Sequence, residues 1–582
     1  MNRLSPFLRK VVYLVLVGAL LIPVSLISRP ASTTGTGVGG DAGGVISEMR
    51  MEYRLSQSQL SEIDPTSETM KLATMGLRGV AVNLLWLQAN EQKKKEEWDN
   101  FEATLNALIK IQPNFVRVWE FQAHNLSYNI SLEFDDFEYR YTWVRKGIEF
   151  LASGIQYNLR EHKILDGLGD FTGMKIGNSD EKFQYRRMFR ADTDFQSRMS
   201  QYIAPNLYDT RHPVYGHDHW RMAYWWYDKS QKLVQNEGVT KRTNDLVYYM
   251  KKPSQIRHQA ITLETEFRTD DDIRDIWREA EDKWDEYGDQ RIVTSIGNEV
   301  TLSGLSRAFQ DVVRLREKLD QMLPDVRENE MPSIYENLGF SAEQIKMQRS
   351  PMETIGEFEM PKYRALNEMV NFEMRKIDQM IFEQLPPEHI AEARGILSEI
   401  DALSNQLEMT EKYQGTANFL YWVDRCKMEQ TEEGMLARQA WYDASEMRRK
   451  SIFDDEYRFD YSTQKKVLTK TGAVTSLLDV FSRYHALFDK YPMLPQGDLG
   501  ESMIDTAREF RQMTTLLGIP WPEDFPMQDL IDNRAATGDV EGLPTKVVKE
   551  NATSEPQGEK KRMEGEMPDR KDPSELPPNK KD

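Results

Sequence analysis

The chain is almost without cysteine. Its 582 residues hold one, Cys426, which excludes an intramolecular disulfide framework and any cysteine-built zinc or iron–sulfur centre. That cysteine ends the segment Tyr421-Trp422-Val423-Asp424-Arg425-Cys426, whose apolar spacing is helical, so an inert, partly buried thiol is expected. Phosphate loops are missing too. The glycines between 35 and 44 are not followed by Gly-Lys-Ser/Thr, and there is no Gly-x-Ser-x-Gly nucleophile elbow. No two histidines stand four apart on one helical face, as in the zinc helices of metalloproteases. The acidic runs Glu133–Glu138 and Asp270–Asp272 lack the glycine and terminal glutamate of a calcium loop. Both read as solvated or helix-capping carboxylates, and the second directly precedes a helix, where the dipole favours them. Basic patches are absent beyond the first ten residues. With 94 acidic against 75 basic residues and a net charge of −19, the chain repels phosphate backbones, so no nucleic-acid partner is expected.

What is present is enough apolar material for real cores: 39% hydrophobic against 29% charged residues, which argues against a disordered chain. One uncharged apolar run stands out, Val11–Ile27, preceded by Arg3, Arg9 and Lys10. As a helix it would span roughly 26 Å, close to the thickness of a bilayer core. Arg29-Pro30 sit where a signal-peptide cleavage site would want small residues, so an uncleaved anchor is expected. The basic residues place its N-terminus in the cytoplasm and the body outside it, in the periplasm of a bacterium.

The expected organisation is a basic N-terminus (1–10), a transmembrane anchor (11–28), a Gly/Ser/Thr tether (29–47), a first helical-repeat section (48–160), a helical section with aromatic-rich loops (161–300), a long helical hairpin region (301–412), a C-terminal helical bundle (413–533) and a mixed-charge disordered tail (534–582). The fold class is mostly α. Apolar stripes predict helices over Leu72–Ala89, from Trp98 through Phe101, Leu105 and Leu108, and over Phe115–Ile130, with Pro113 as the stop between the last two. Residues 220–236 and 271–287 predict two more. Tyr363–Leu385 and Glu388–Leu407 predict a hairpin broken at Pro386-Pro387. Helices over Val474–Leu487 and Met503–Leu517 follow. Tyr457–Tyr461 alternates aromatic and polar residues, as a short strand or loop would. Aromatic stripes such as Trp225-Trp226-Tyr227 and Trp277/Trp284 read as core.

Two helices, a proline and another helix resemble tetratricopeptide repeats. Ala89 is similar to the small residue of the repeat's first helix, and Ala123 follows Trp119 at the matching offset. Phe101, Leu105 and Leu108 resemble the apolar trio of its second helix, and Pro113 its terminal proline. Gly147, Leu151 and Gly154 extend the pattern toward Asn158. The resemblance implies stacked hairpins with a concave surface for polypeptide partners. Leu77-Arg78-Gly79, Leu84-Leu85-Trp86, Gln112-Pro113, Trp119 and Tyr128-Asn129-Ile130 also resemble a group of bacterial membrane-anchored proteins of unassigned role. Some of these carry the label "iron-responsive element". That phrase names an RNA hairpin, which an acidic chain binds poorly, and no function follows from it.

The densest metal-like cluster is His212, His217 and His219 with Asp218. In an extended segment His217 and His219 would point the same way and could hold zinc or iron. The alternative is a loop whose histidines cap helices or bond backbone. No catalytic residues and no cofactor emerge, so the chain is not read as an enzyme. The expected function is a membrane-tethered helical scaffold for protein partners, with a metal-dependent protein using His212, His217 and His219 as the alternative.

Overall fold

Apolar spacing and its interruptions set the helices. In the computed structural model, residues 45–52 and 78–545 are described, apart from 96, 204–210, 213, 242, 295–296, 323, 351–354, 356–359, 461–464 and 536–539, together with scattered positions before residue 28. The described chain is mostly helical and divides into two compact units, Met1–Asp505 and Thr506–Asp582.

Helix α1 is Val45–Glu52. The repeat-like section opens with α2 (Arg78–Lys94) and α3 (Trp98–Ile111), which pack on each other. Phe101, Leu105 and Leu108 of α3 are buried, with Ala89 and Val82 of α2 across from them. Pro113 then separates α3 from α4 (Val116–His124), as expected of a residue that cannot continue a helix. Helix α5 (Phe137–Ser153) is capped by Asp136, whose carboxylate accepts the Glu138 amide at 2.6 Å. It lies so close to α4 that a side chain at Gly147 would strike Ser127 Oγ and the Ala123 carbonyl. Next come α6 (His162–Asp170), α7 (Lys182–Ala191) and α8 (Thr193–Ser200).

The array continues through α9 (His219–Glu237), α10 (Asp245–Glu266) and α11 (Asp271–Gly288), each packed on its neighbour, with α6 against α9. Trp226, Trp277 and Trp284 are completely buried. Five helices interrupt the series: α12 (Leu305–Asp320), α13 (Pro324–Asn337), α14 (Ala342–Arg349), α15 (Met360–Gln384) and α16 (Ile390–Ala417). They close over their own core of Val312, Leu319, Val370, Met374 and Ile396. The array then resumes with α17 (Phe419–Gln430), which packs directly on α11. Gln430 donates to Glu281 at 2.5 Å across 149 residues of sequence. Helices α18 (Glu432–Arg449) and α19 (Ala473–Lys490) follow, and α20 (Asp498–Leu517) begins in the first unit. In the second unit, Trp521 packs between Phe510 and Phe525, ahead of α21 (Gln528–Ala535).

Strands come only as three small antiparallel pairs among the described residues: β1 (Arg211–His212) with β2 (Gly216–His217), β3 (Ile292–Val293) with β4 (Glu299–Val300), and β5 (Glu456–Asp460) with β6 (Lys465–Lys470). The last pair includes most of the aromatic–polar segment at 457–461.

The expected membrane placement needs correction. Among the described residues, no helix is long and apolar enough to cross a membrane. Within the run Val11–Ile27 the described positions, among them Tyr13, Leu16, Ile22 and Leu26, are helical and are not contiguous in the sequence. At about 17 residues it lies at the lower limit for a span, and Gly18, Pro23 and Ser25 interrupt its apolar character. The remainder of the expected anchor, most of the tether and the tail beyond residue 545 lie outside the described residues, as do Leu72 and Met75.

Pro253 sits inside α10 and removes the amide that would bond the Tyr249 carbonyl. The Gln231 side chain of α9 replaces it, donating to the Tyr248 and Tyr249 carbonyls at 3.0 and 3.3 Å. Gln231→Leu is therefore expected to cost about 1–3 kcal/mol, because it leaves a buried carbonyl unmet. An unchanged urea midpoint for the full chain would contradict this account of how the kinked helix is tolerated.

Candidate functional site

The three histidines of the sequence cluster are placed in three different settings. His212 lies in β1, accepts the Val214 and Tyr215 amides on Nδ1 at 3.2 and 3.4 Å, and stacks on the Tyr215 ring. His217 lies in β2 and pairs with Arg211 across the two strands. His219 is buried at the start of α9, between Phe189 and Trp220. Burial, with Arg186 and Arg190 nearby, pushes its pKa well below the usual range, which keeps the ring neutral. Asp218 caps α9 by accepting the Arg221 amide at 2.9 Å. Among the described residues no three His, Cys, Asp or Glu side chains converge as a metal site would require. Asp270 likewise caps α11 and accepts the Tyr215 hydroxyl at 2.7 Å.

A second cluster has the residue types of a catalytic triad in a different order. Asp166 stands in the middle: its Oδ1 accepts the Ser230 hydroxyl at 2.7 Å and its Oδ2 lies 3.0 Å from His162 Nδ1. The Tyr248 hydroxyl completes the network at 2.8 Å from Ser230. The histidine therefore contacts the carboxylate, and the serine lacks the adjacent base that activation needs. Ser230 and His162 are buried, and the network ties α6 to α9 and α10. Beside Pro253, a cavity of ≈150 Å³ is lined in part by Asp228, Lys232 and Lys252. Its charged groups are already paired with one another, with Lys232 and Lys252 at 2.7 and 2.8 Å from Asp228 and Lys283 bonded to Glu286.

The arrangement that is not internally matched lies where two π-helical turns meet. The first, Asn125–Asn129, continues α4, and the second, Phe171–Lys175, continues α6. Each inserts a residue into its helix and re-aims the side chains beyond it. The local sequence favours this. Asn125, Ser127 and Asn129 are weak helix formers whose side chains find other partners: Asn129 donates to Asn125 Oδ1 at 2.9 Å and Ser127 to the Val144 carbonyl at 3.3 Å. In the second turn Thr172 bonds back to the Leu168 carbonyl at 2.7 Å. A side chain at Gly173 would press on Gln255, Ala223 and Trp220.

Tyr128, on the first turn, meets Phe171 edge-on at 5.6 Å, and His124 stacks flat on it at 4.5 Å. Lys175, on the second turn, is 8% exposed and sets its ammonium 4.4 Å from the Tyr128 ring centre. Among the described residues it has no carboxylate partner. Burial lowers its pKa, with Glu181 opposing and Arg140 reinforcing the shift. His124 is lowered by partial burial and then by Lys93 and Lys175. Burial, with Asp170 nearby, raises the Tyr128 phenol.

The same chemistry repeats along neighbouring helices. Lys93 of α2 lies 4.7 Å over Phe121 of α4, three residues before His124. Asp170 accepts the Tyr227 hydroxyl at 2.6 Å and pairs with Lys251 at 3.2 Å, and that lysine lies 5.1 Å over Tyr227. One strip of cationic and aromatic side chains thus crosses α2, α4, α6, α9 and α10. It carries Lys93, Lys175 and Lys251, of which Lys251 pairs with Asp170 while Glu181 and Asp180 act on Lys175 from a distance. The sequence reading passed over these residues because they are scattered over about 160 positions and single lysines carry no motif. Compared with known protein families, characterised proteins and solved structures, the chain matches none of them.

Proposed function

We propose that this protein is a helical-array scaffold without catalysis of its own, and that it binds an extended acidic polypeptide along the strip centred on Lys175, Tyr128 and His124. The observation that carries this reading is Lys175: a largely buried side chain with an aromatic face beneath its ammonium and, among the described residues, no ion pair to a carboxylate. A buried cation without a counter-ion is costly, and a partner's carboxylate would offset that cost. Aromatic faces flanking the lysines add cation–π and apolar contact for the rest of a bound segment. Stacked helical pairs supply the extended surface such a segment needs. The metal-dependent alternative has no observation in its favour.

The test is an array of extended peptides of graded charge, probed with the full chain and with Lys175→Met. The expected result is retention of acidic peptides and at least a tenfold loss in the variant, which removes a desolvated charge contact. Retention without charge preference, or retention indifferent to Lys175→Met, would sink the reading.

A further inference from the structure

We infer that Arg257 anchors an oxyanion-binding site where α10, α11 and α17 meet, separate from the Lys175 strip. Arg257 projects from α10 with its guanidinium 3.4 Å from the centre of the Trp422 ring and 5.6 Å from that of Trp284. Stacking occupies the face of the guanidinium and leaves its five N–H donors, which lie in its plane, to be met at the edges. Among the described residues those edges have no hydrogen-bond acceptor, and Nε is fully buried and unmet. The residue is only partly covered, and of its guanidinium nitrogens only Nε is both fully buried and unmet. Other arginines with a buried unmet nitrogen, such as Arg186 and Arg316, still keep an ion pair, at 3.0 Å to Glu266 and 2.9 Å to Asp378, and Arg425 and Arg438 both reach Glu429, at 2.6 and 2.7 Å. Among the described residues Arg257 has no such pair, and its pKa is drawn down to about 10, chiefly by burial.

Arg425 adds positive charge and is balanced by its own glutamates. Tyr421 is engaged with the Leu499 amide at 3.0 Å. Cys426 is buried, and burial pushes its thiol pKa up, so it stays neutral. Asp498 is the nearest acidic influence, exposed at the start of α20 and forming no ion pair with Arg257. What fits is a compact group with two or more oxygens in a plane or tripod, which a guanidinium fork grips on two N–H groups at once. A carboxylate and a phosphoryl group share that chemistry.

Inorganic phosphate and acetate, each titrated into the full chain at constant ionic strength, separate the two sources. Binding is read calorimetrically and by the fluorescence change of Trp422, with Trp422→Phe as the optical control. The expected result is saturable one-site binding of one of the two anions. Arg257→Met should weaken it at least tenfold. Arg257→Lys, which keeps the charge and the fold but loses the fork, should weaken it less. Asp498→Asn should tighten it severalfold by removing a competing negative charge. Preference for phosphate assigns a phosphoryl ligand, and preference for acetate a carboxylate. Absence of saturable binding, or binding that survives both Arg257 variants, overturns the site. So does an Asp498→Asn variant that is destabilised without gaining anion affinity, because Arg257 would then have its partner within the chain.

Discussion

Arg438→Met should destabilise the first unit by about 3–5 kcal/mol, the usual cost of removing one partner from a buried ion network. Four charges meet where α10, α17 and α18 come together. Glu429 receives Arg425 at 2.6 Å and Arg438 at 2.7 Å, while Glu264 lies 3.4 Å from Arg438 and 3.8 Å from Arg425. Trp277 of α11 donates its indole N–H to Glu264 at 2.6 Å. The side chains are 1% to 10% exposed, so water cannot replace a missing partner. Two arginines against two glutamates leave no net charge. Removing Arg438 strands two buried carboxylates on one guanidinium. Glu264 would give way first, since burial already raises it to about 7. Burial also pushes on Glu429, but Arg438 and Arg425 outweigh it and hold that carboxyl below its ordinary range. The double variant Arg438→Met/Glu264→Gln should recover part of the loss, because the amide oxygen still accepts from Trp277 and one stranded charge is gone. Urea unfolding of the wild type, the two single variants and the double variant checks this. A loss under about 1 kcal/mol, or losses that simply add, would show that the network does not bind these helices together.

The second large effect is at acid pH. His258 stacks at 4.7 Å on Trp220, which packs against His219 on its other contact. Burial, then Arg257 and Arg186, pull His258 down to about 3. A histidine whose folded pKa is depressed binds fewer protons folded than unfolded. Its contribution is complete above about pH 6.5 and is lost as pH falls from there toward 3. Each pH unit in that window is worth about 1.4 kcal/mol. Glu264 acts in the opposite sense. Its raised carboxyl takes up a proton in the folded state first, which favours folding as pH falls from 7 toward the ordinary glutamate range. The clean observable is therefore the difference between wild type and His258→Gln, in which Glu264 cancels. The stability advantage of the glutamine chain should grow by about 1.4 kcal/mol per unit below pH 6.5. A difference independent of pH between 6.5 and 4.5 would contradict a neutral, partly buried His258.

The individual helices were the legible part. The stripe of Phe101, Leu105 and Leu108, the stop at Pro113, and the acidic caps at Asp136 and Asp270 are local signals with local causes, and each marks an element boundary. Cys426 is buried, as its helical setting suggested. The buried network was not legible. Arg425 and Glu429 stand four apart, a spacing that exposed helical ion pairs share. Glu264 is some 160 positions earlier, and nothing in one sequence says that α12 to α16 are looped out so that α17 can reach α11. The π turns were missed for a related reason. Residues 160–220, with Gly167 and Gly169, read as short helices and loops, and an inserted residue leaves no periodic mark when the segment is short. For the histidine cluster, spacing says nothing of burial: His219 is a core residue at the start of α9, whereas His212 lies in β1 and accepts backbone amides.

The central claim is that the strip through Tyr128 and Lys175 receives a polypeptide, and photo-crosslinking in the source cells tests it most directly. A photoreactive amino acid at Met174, an exposed position beside Lys175, is compared with one at Asp275, exposed on α11. The account predicts a discrete protein adduct from position 174, lost when Lys175→Met is added, and none from position 275. Adducts of equal yield from both positions, or an adduct from 174 that is unaffected by Lys175→Met, would contradict it.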